Sequence, residues 1–472
     1  MHIEYAEREV DFMSSKVYYL NDRAGSMMDS IPFKGVKVLK DAGLAGMIKP
    51  GDRVAIKTHM GEWGNALNLR PHWVSAVADE VKRLGGKPAI VETCVAAYGE
   101  SVSRISREDH LRVAAAHGFT EETMGCPIII CDGDYGTEDV KVEVPNGVYL
   151  KYAYLAKKLL DFDVVIVVSH FKGHAMGVFG GAMKNVGIGM ASARGKYAIH
   201  NITHPEIGIK TWQINQDAVK KHAQAPSPNL IERMVDNCPC EAFAYDGETL
   251  TRDSEKCHQC GFCFAYLFQG VYNFPPELVP SWPAGITDAA CGFVHAIGKE
   301  KMIFLNYAMD ITPGCDCGNF HDKALTPNLG VFASRDPVAV DMACIEAAEA
   351  VTAIPGSAAS EYGFGEPNTE RFTNCSSMAK LSQWAQLNAA VYNGMGDTEY
   401  VLVNSVTEFT EAFNFPPYTM AEPYTHVHKE IYKEINMDPG DYAYGKLPRL
   451  AMEEQSKKPK GKLKEISIAE DK

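Results

Sequence analysis

No run of apolar residues in this chain approaches the ~20 that a membrane-spanning helix needs. The densest runs, residues 164–168 (VVIVV) and 128–130 (III), are strand-sized. The opening MHIEYAEREVDF lacks both the basic n-region and the apolar h-region of a secretory signal. No membrane partner and a cytoplasmic location are therefore expected. Positive charge is in deficit, 46 Lys+Arg against 60 Asp+Glu, which leaves −14. A field of that sign repels phosphate backbones, so nucleic acid is not an expected partner. Nucleotide-binding text is missing as well. There is no Walker loop, and no G-x-G-x-x-G sits between strand and helix with an acidic residue at the right distance. Repeats at solenoid spacing are absent too.

What remains is ordinary globular text: 472 residues, 46% hydrophobic and 22% charged, long enough for roughly three units by length alone. Residues 53–58 (RVAIKT) read as a buried strand. A helix over 70–84 follows, with Trp73, Val77 and Val81 on one face and Gly85-Gly86 as its stop. Further strands are expected at 88–92, 126–131, 163–169, 301–307 and 329–334, with helices at 108–116 and from Asp336 to about 351. The last helix opens on Asp336-Pro337, a cap followed by a proline at the first helical position. Strands alternating with helices of this size predict an α/β fold, a mainly parallel sheet with helices on both faces. Ligands in such sheets lie beyond the carboxyl ends of the strands.

The alternation breaks between about 226 and 285, where five cysteines fall from Cys238 to Cys263. The expected organisation is an α/β domain over 16–350 interrupted by this small cysteine-rich, ferredoxin-like insertion. An extension over 351–472 follows, with a mobile tail from about Ser456.

Cys257, Cys260 and Cys263 form the first three-quarters of the bacterial ferredoxin run C-x2-C-x2-C-x3-C-P. One tight loop can point three such thiolates at three irons of a cubane, with Gly261 easing the turn. A zinc knuckle is the competing reading, but zinc usually takes four ligands from two paired arms. The fourth ferredoxin cysteine is missing, with Leu267 and Phe268 in its place. The fourth iron is then open, or is claimed by Cys238 or Cys240, by Cys315 or Cys317, or, less readily, by Cys291. One 4Fe–4S cluster is expected, and the two C-x-C pairs leave room for a second. Cys94, Cys126, Cys131, Cys344 and Cys375 read mainly as small core residues. Cys94, at a strand end, is the one among them with a possible place in the cleft.

Three strands end in polar text: Lys57-Thr58-His59, Glu92-Thr93-Cys94 and Ser169-His170-Phe171-Lys172. After 163–169 come His170, Lys172, His174, Lys184 and Asn185 in glycine-rich surroundings, then Lys196 and His200. After 53–58 come His59, Glu62, Asn65 and Arg70, with Lys57 at the strand's end. His59, Glu62, His170, Lys172, His174 and Lys184 are candidates for acid–base chemistry. Lys57, Asn65, Arg70, Asn185, Lys196 and His200 are candidates for holding a carboxylate or phosphate of a substrate.

The segments VAIKTHMGEWGN, SHFKGHAMGVFGGAMKNVGIG, GKYAIH, DITPGCDC and GVFASRDPVAVD together resemble the domain-of-unknown-function 362 family of iron–sulfur centre proteins. The resemblance runs from about Lys16 to Val351. It implies an α/β domain, often with a 4Fe–4S insertion where this chain has Cys257, Cys260 and Cys263, and redox or electron-transfer chemistry, commonly in anaerobes. It implies no particular substrate. Two functions follow as expectations. One is an iron–sulfur oxidoreductase that reduces a small polar molecule, supplied by a donor such as a ferredoxin or flavodoxin. The other is a non-enzymatic electron carrier or maturation factor that docks on a partner enzyme.

Overall fold

The computed structural model describes residues 15–25, 29–96, 102–267, 269–273, 278–376 and 381–407. Phe268 and the tail from Ser456 lie outside them. The main sheet is built from β1 (Ser15–Leu20), β2 (Arg53–Lys57), β3 (Lys87–Glu92), β4 (Ile128–Ile130), β5 (Val164–His170), β6 (Met302–Ala308), β7 (Gly330–Ser334) and β8 (Tyr400–Asn404). Their order across the sheet is β8-β1-β7-β6-β5-β2-β3-β4. The five strands from β6 to β4 run parallel, while β7 is antiparallel to both β6 and β1. The fold is thus α/β with a mixed, mostly parallel sheet.

Alternation along the strands sorts the core into two faces. On one, Val54, Ile56, Ile166, Val168 and Leu305 meet helices α1 (Ile31–Asp41) and α2 (Pro71–Arg83). The expected α2 face is buried: Trp73, Val77 and Val81 all pack here, each such side chain contributing about 1.5–3 kcal/mol. Helix α3 (Arg107–Ala116) follows β3 and is capped by Ser106. On the other face, Ala55, Val165, Val167 and Phe304 meet α4 (Ala182–Gly187), α6 (Leu278–Ile297) and α7 (Pro337–Glu349). Between α4 and α6 lies α5 (Ala193–Ile199). Asp336 caps α7 by accepting from the Val338 and Ala339 amides. Burial on both faces explains why β5 is apolar over residues 164–168 rather than alternating.

The cysteine-rich stretch and residues just before it share a separate apolar cluster, in which Trp212, Ile231, Met234, Phe264 and Tyr272 pack with Cys238, Cys257 and Cys263. Beyond residue 351, helix α8 (Ala385–Tyr392) leads to Asn393, whose side-chain amide donates to Asp288 of α6. The chain then supplies β8, the strand outside β1. No helix among the described residues is long and apolar enough to cross a membrane.

Chain order places the ligand crevice. From β2 the sheet grows one way through β3 and β4, and the other way through β5 and β6. Such a reversal opens a crevice outside the carboxyl ends of the two strands that flank it. Here those ends are Lys57-Thr58-His59 and Ser169-His170.

Candidate functional site

A cavity of about 690 Å³ opens at this reversal, a size suited to a small molecule. His59, His170, Lys172, His174 and Lys184 all line it, so the structure brings together polar groups from both strand ends. Asn185, Lys196 and His200 line it as well, as do Glu92, Thr93 and Arg104 from the β3 side. Cys315, Cys317 and Phe320 contribute from the segment after β6. The far wall is Phe264, Tyr266 and Gln269, directly after Cys263.

Helix α4 carries Lys184 and Asn185 into the cavity. Its first amides, Ala182 and Met183, donate to the buried Asp341 carboxylate at 2.7 and 2.9 Å. Asn306 donates to the same carboxylate at 2.7 Å. Burial still raises Asp341 to about 6. Gly181 has to be a glycine because a Cβ would overlap that carboxylate.

Several expected substrate groups are committed to the protein itself. Lys57 is wholly buried off the cavity wall and donates to Thr58 O, Asn185 Oδ1 and Glu92 Oε1, at 2.8, 2.9 and 2.6 Å. An ammonium has three donors, so none is left. Lys196 likewise donates to Thr93 Oγ1, Cys94 O and Ala191 O at 2.7, 2.6 and 2.8 Å. Burial lowers it to about 8, and it offers the cavity charge rather than a hydrogen bond. Asn185 spends its carbonyl on Lys57 and its amide on Val168 O and Ser169 Oγ. Asn65 donates to Gly318 O and Phe320 O, and Arg70 pairs with Asp310 at 2.6 Å on the surface. Neither lines the cavity.

The acid–base candidates divide similarly. Glu62 is buried off the cavity wall. It accepts from the Trp63 amide, from Ser103 and from Arg104 Nε. In the structure Glu62 anchors Arg104. His170 places Nδ1 2.9 Å from Asp316 and Nε2 2.7 Å from Met309 O. Both ring nitrogens face acceptors, which leaves none for substrate. His59 is freer. Its Nδ1 accepts from the Gly61 amide at 3.0 Å, and burial, reinforced by Arg104, holds the ring well below the usual imidazolium range. It is therefore neutral, with its proton on Nε2. His200 is lowered to about 3 by burial and donates from Nδ1 to Lys196 O.

One donor atom each from His174, Cys315 and Cys317 lies within 4.8 Å of the others, a grouping that could hold a metal ion. Lys184 Nζ donates to Cys315 Sγ at 3.1 Å. Burial pushes Cys315 up. The hydrogen bond from Cys317 and the charges of Lys184 and Lys172 outweigh it, so Cys315 lies well below the ordinary thiol range. Cys317 is correspondingly held well above it, by its hydrogen bond to Cys315 and by burial. Asp316, between them, is kept ionised by His170 and Lys172 against its own burial.

The loop of Cys257, Cys260 and Cys263 has Gln259 at φ 56° and Gly261 at φ 81°, two left-handed residues that curl it tightly. A Cβ at Gly261 would stand 2.5 Å from the Tyr197 ring. Cys257 and Cys263 are buried and Cys260 is exposed. Cys240 sits against this loop, accepting from the His258 amide and feeling the charge of Cys257. Cys238 Sγ is 3.8 Å from Cys240 Sγ. Cys315 and Cys317 instead share their surroundings with His174 and Lys184. Cys94 is buried behind Thr93, raised to about 12 by burial.

Arg104, Asp316 and the Phe264–Tyr266 wall escaped the sequence reading. Asp316 was visible only as the middle of Cys-Asp-Cys, and Arg104 lies in a stretch with no motif.

A family model described as Domain of unknown function (DUF362) matches residues 54–346. A thylakoid-associated protein of Synechocystis sp. is 26% identical over 185 residues, 38% of this chain and 50% of that protein. The chain thus spans half the length of this curated relative. Among solved structures, the lactate racemase apoprotein of Thermoanaerobacterium thermosaccharolyticum is 12% identical, with a TM-score of 0.30, covering 63% of this chain and 51% of the other. A protein from Thermotoga maritima is 10% identical, with a TM-score of 0.30, covering 61% and 52%.

Proposed function

This chain belongs to the domain-of-unknown-function 362 family, and from that premise we propose that it is an iron–sulfur oxidoreductase. A small polar substrate is held in the cavity, and electrons reach it through a 4Fe–4S cluster on Cys257, Cys260 and Cys263.

The observation that carries this reading is the contact between the cysteine loop and the cavity. Phe264 and Tyr266 follow Cys263 and form part of the cavity wall. Tyr197, next to the cavity-lining Lys196, donates to the Cys260 carbonyl at 2.8 Å. The donor set fits the group: the loop curls tightly, and Cys240 stands beside it as a fourth thiol. A cluster bound there supplies single electrons.

The remaining work falls to the chain's own side chains. Lys172, paired with Asp316 at 3.4 Å, and Lys184, bonded to Cys315 at 3.1 Å, bring two ammonium groups to the cavity lining. Neutral His59 presents its Nε2 proton as a hydrogen-bond donor. Phe264 and Tyr266 screen the cavity from water on the cluster side. Exposed Cys260 leaves the loop within reach of an external donor such as a ferredoxin or flavodoxin. The same exposure favours the second reading, a carrier that passes electrons to a partner enzyme.

Anaerobic purification with iron and acid-labile sulfide counting tests the proposal. About four of each per chain are expected. A colourless protein with zinc in their place contradicts both readings.

A further inference from the structure

Cys315 is surrounded by donors. Its Sγ accepts from Lys184 Nζ at 3.1 Å and from the Cys317 amide at 3.3 Å, with His174 and the Cys317 sulfur close by. Cys315 and Cys317 both line the cavity. An anion-stabilising cage of this kind is what an attacking thiolate requires.

The cage fits a resident metal ion poorly. His174 Nδ1 accepts from the Gly177 amide at 2.8 Å and the Met176 amide at 3.3 Å. A neutral ring then carries its proton on Nε2, so neither nitrogen has a lone pair to give. Metal-bound imidazoles show the reverse pattern and donate their second N–H outward.

We propose that Cys315 and Cys317 are a redox dithiol of the cavity, with Cys315 the attacking sulfur and Cys317 the resolving one, and that the substrate is a small disulfide. Cys315 attacks one sulfur of R–S–S–R′. The S–S bond breaks, R′S⁻ leaves with the electron pair, and a mixed disulfide forms on Cys315. Cys317 then loses its proton and attacks Cys315 Sγ, expelling RS⁻. The leaving thiolates take up two protons, so the substrate gains two electrons and two protons and the pair becomes a disulfide. The inference rests on the proposed oxidoreductase only for re-reduction, in which two single electrons from a low-potential carrier return through the cluster. The first turnover needs no outside reductant.

The test uses the anaerobically reduced full chain, with cystine as the probe and peptide mass mapping as the readout. One equivalent of cystine should remove two hydrogens from the peptide that carries Cys315 and Cys317. In Cys317→Ser it should instead leave a half-cystine adduct on Cys315. Limiting iodoacetamide should label Cys315 first. Lys184→Met should slow that labelling about tenfold, the loss of one charge-assisted hydrogen bond, with iron content unchanged. A peptide that stays reduced under cystine overturns the proposal. So does an unlabelled Cys315 that becomes reactive only after a chelator removes one metal ion per chain. Because a chain without iron can still show the first turnover, failure of the cluster and failure of the dithiol are read separately.

Discussion

Asn185 and Lys57 lock the two strand ends on either side of the cavity, the side-chain carbonyl of one accepting from Nζ of the other at 2.9 Å. The Asn185 amide reaches Val168 and Ser169 at the end of β5, so a single side chain ties β5 to β2 where the sheet reverses. Asn185→Ala strips the fully buried Lys57 of one of its three acceptors. A loss of about 2 kcal/mol is expected in denaturant unfolding. An unchanged midpoint and slope would show that the joint contributes nothing.

Gly181 is the second lock. Gly181→Ala pushes a methyl group into the Asp341 carboxylate, which would have to release the Ala182 and Met183 amides. About 1–3 kcal/mol should be lost. Cys315 alkylation should also slow, because Lys184 rides on the same short helix. A variant that melts and labels like the parent would show that α4 is positioned some other way.

Stability should rise with pH above about 8 through Lys196. Burial lowers its folded value to about 8 from an ordinary 10.5. Between these values the unfolded chain binds more protons than the folded one. Stability therefore climbs as pH rises through the window and falls as pH drops back through 8. The slope from one such group approaches 1.4 kcal/mol per pH unit, a value of about one full proton. Thermal or denaturant melts of Lys196→Met, compared with the parent from pH 8 to 10, should lack this part of the slope. If the two proteins differ by the same amount at every pH, Lys196 titrates as an ordinary lysine.

Much of the scaffold was legible because its signals are local. The alternation of apolar strands with helices, the Trp73–Val77–Val81 face and the Asp336-Pro337 cap each reside in a few neighbouring residues. Strands β1 and β8 were not legible. They pair with each other at one side of the sheet although most of the described chain lies between them. The polar text at strand ends marked the cavity correctly as a place, since His59, His170, Lys172, His174 and Lys184 meet there. It could not say which of those groups would be consumed by partners far along the chain. Lys57 meets Glu92, Glu62 meets Arg104, and His170 meets Asp316. A buried charge has to find such a partner, and sequence alone does not name it. For the same reason the Cys-Asp-Cys segment read as a pair of candidate cluster ligands. Only the fold puts Lys184 and His174 beside it.

The most direct measurement compares the iron and sulfide content of four anaerobically purified variants: Cys257→Ser, Cys263→Ser, Cys240→Ser and Cys315→Ser. The account predicts that the first two lose most of the cluster and its visible absorbance. Cys240→Ser should hold its iron weakly, and Cys315→Ser should keep it in full. A Cys315→Ser chain without iron, beside Cys257→Ser and Cys263→Ser chains that retain it, would place the cluster in the cavity and contradict the account.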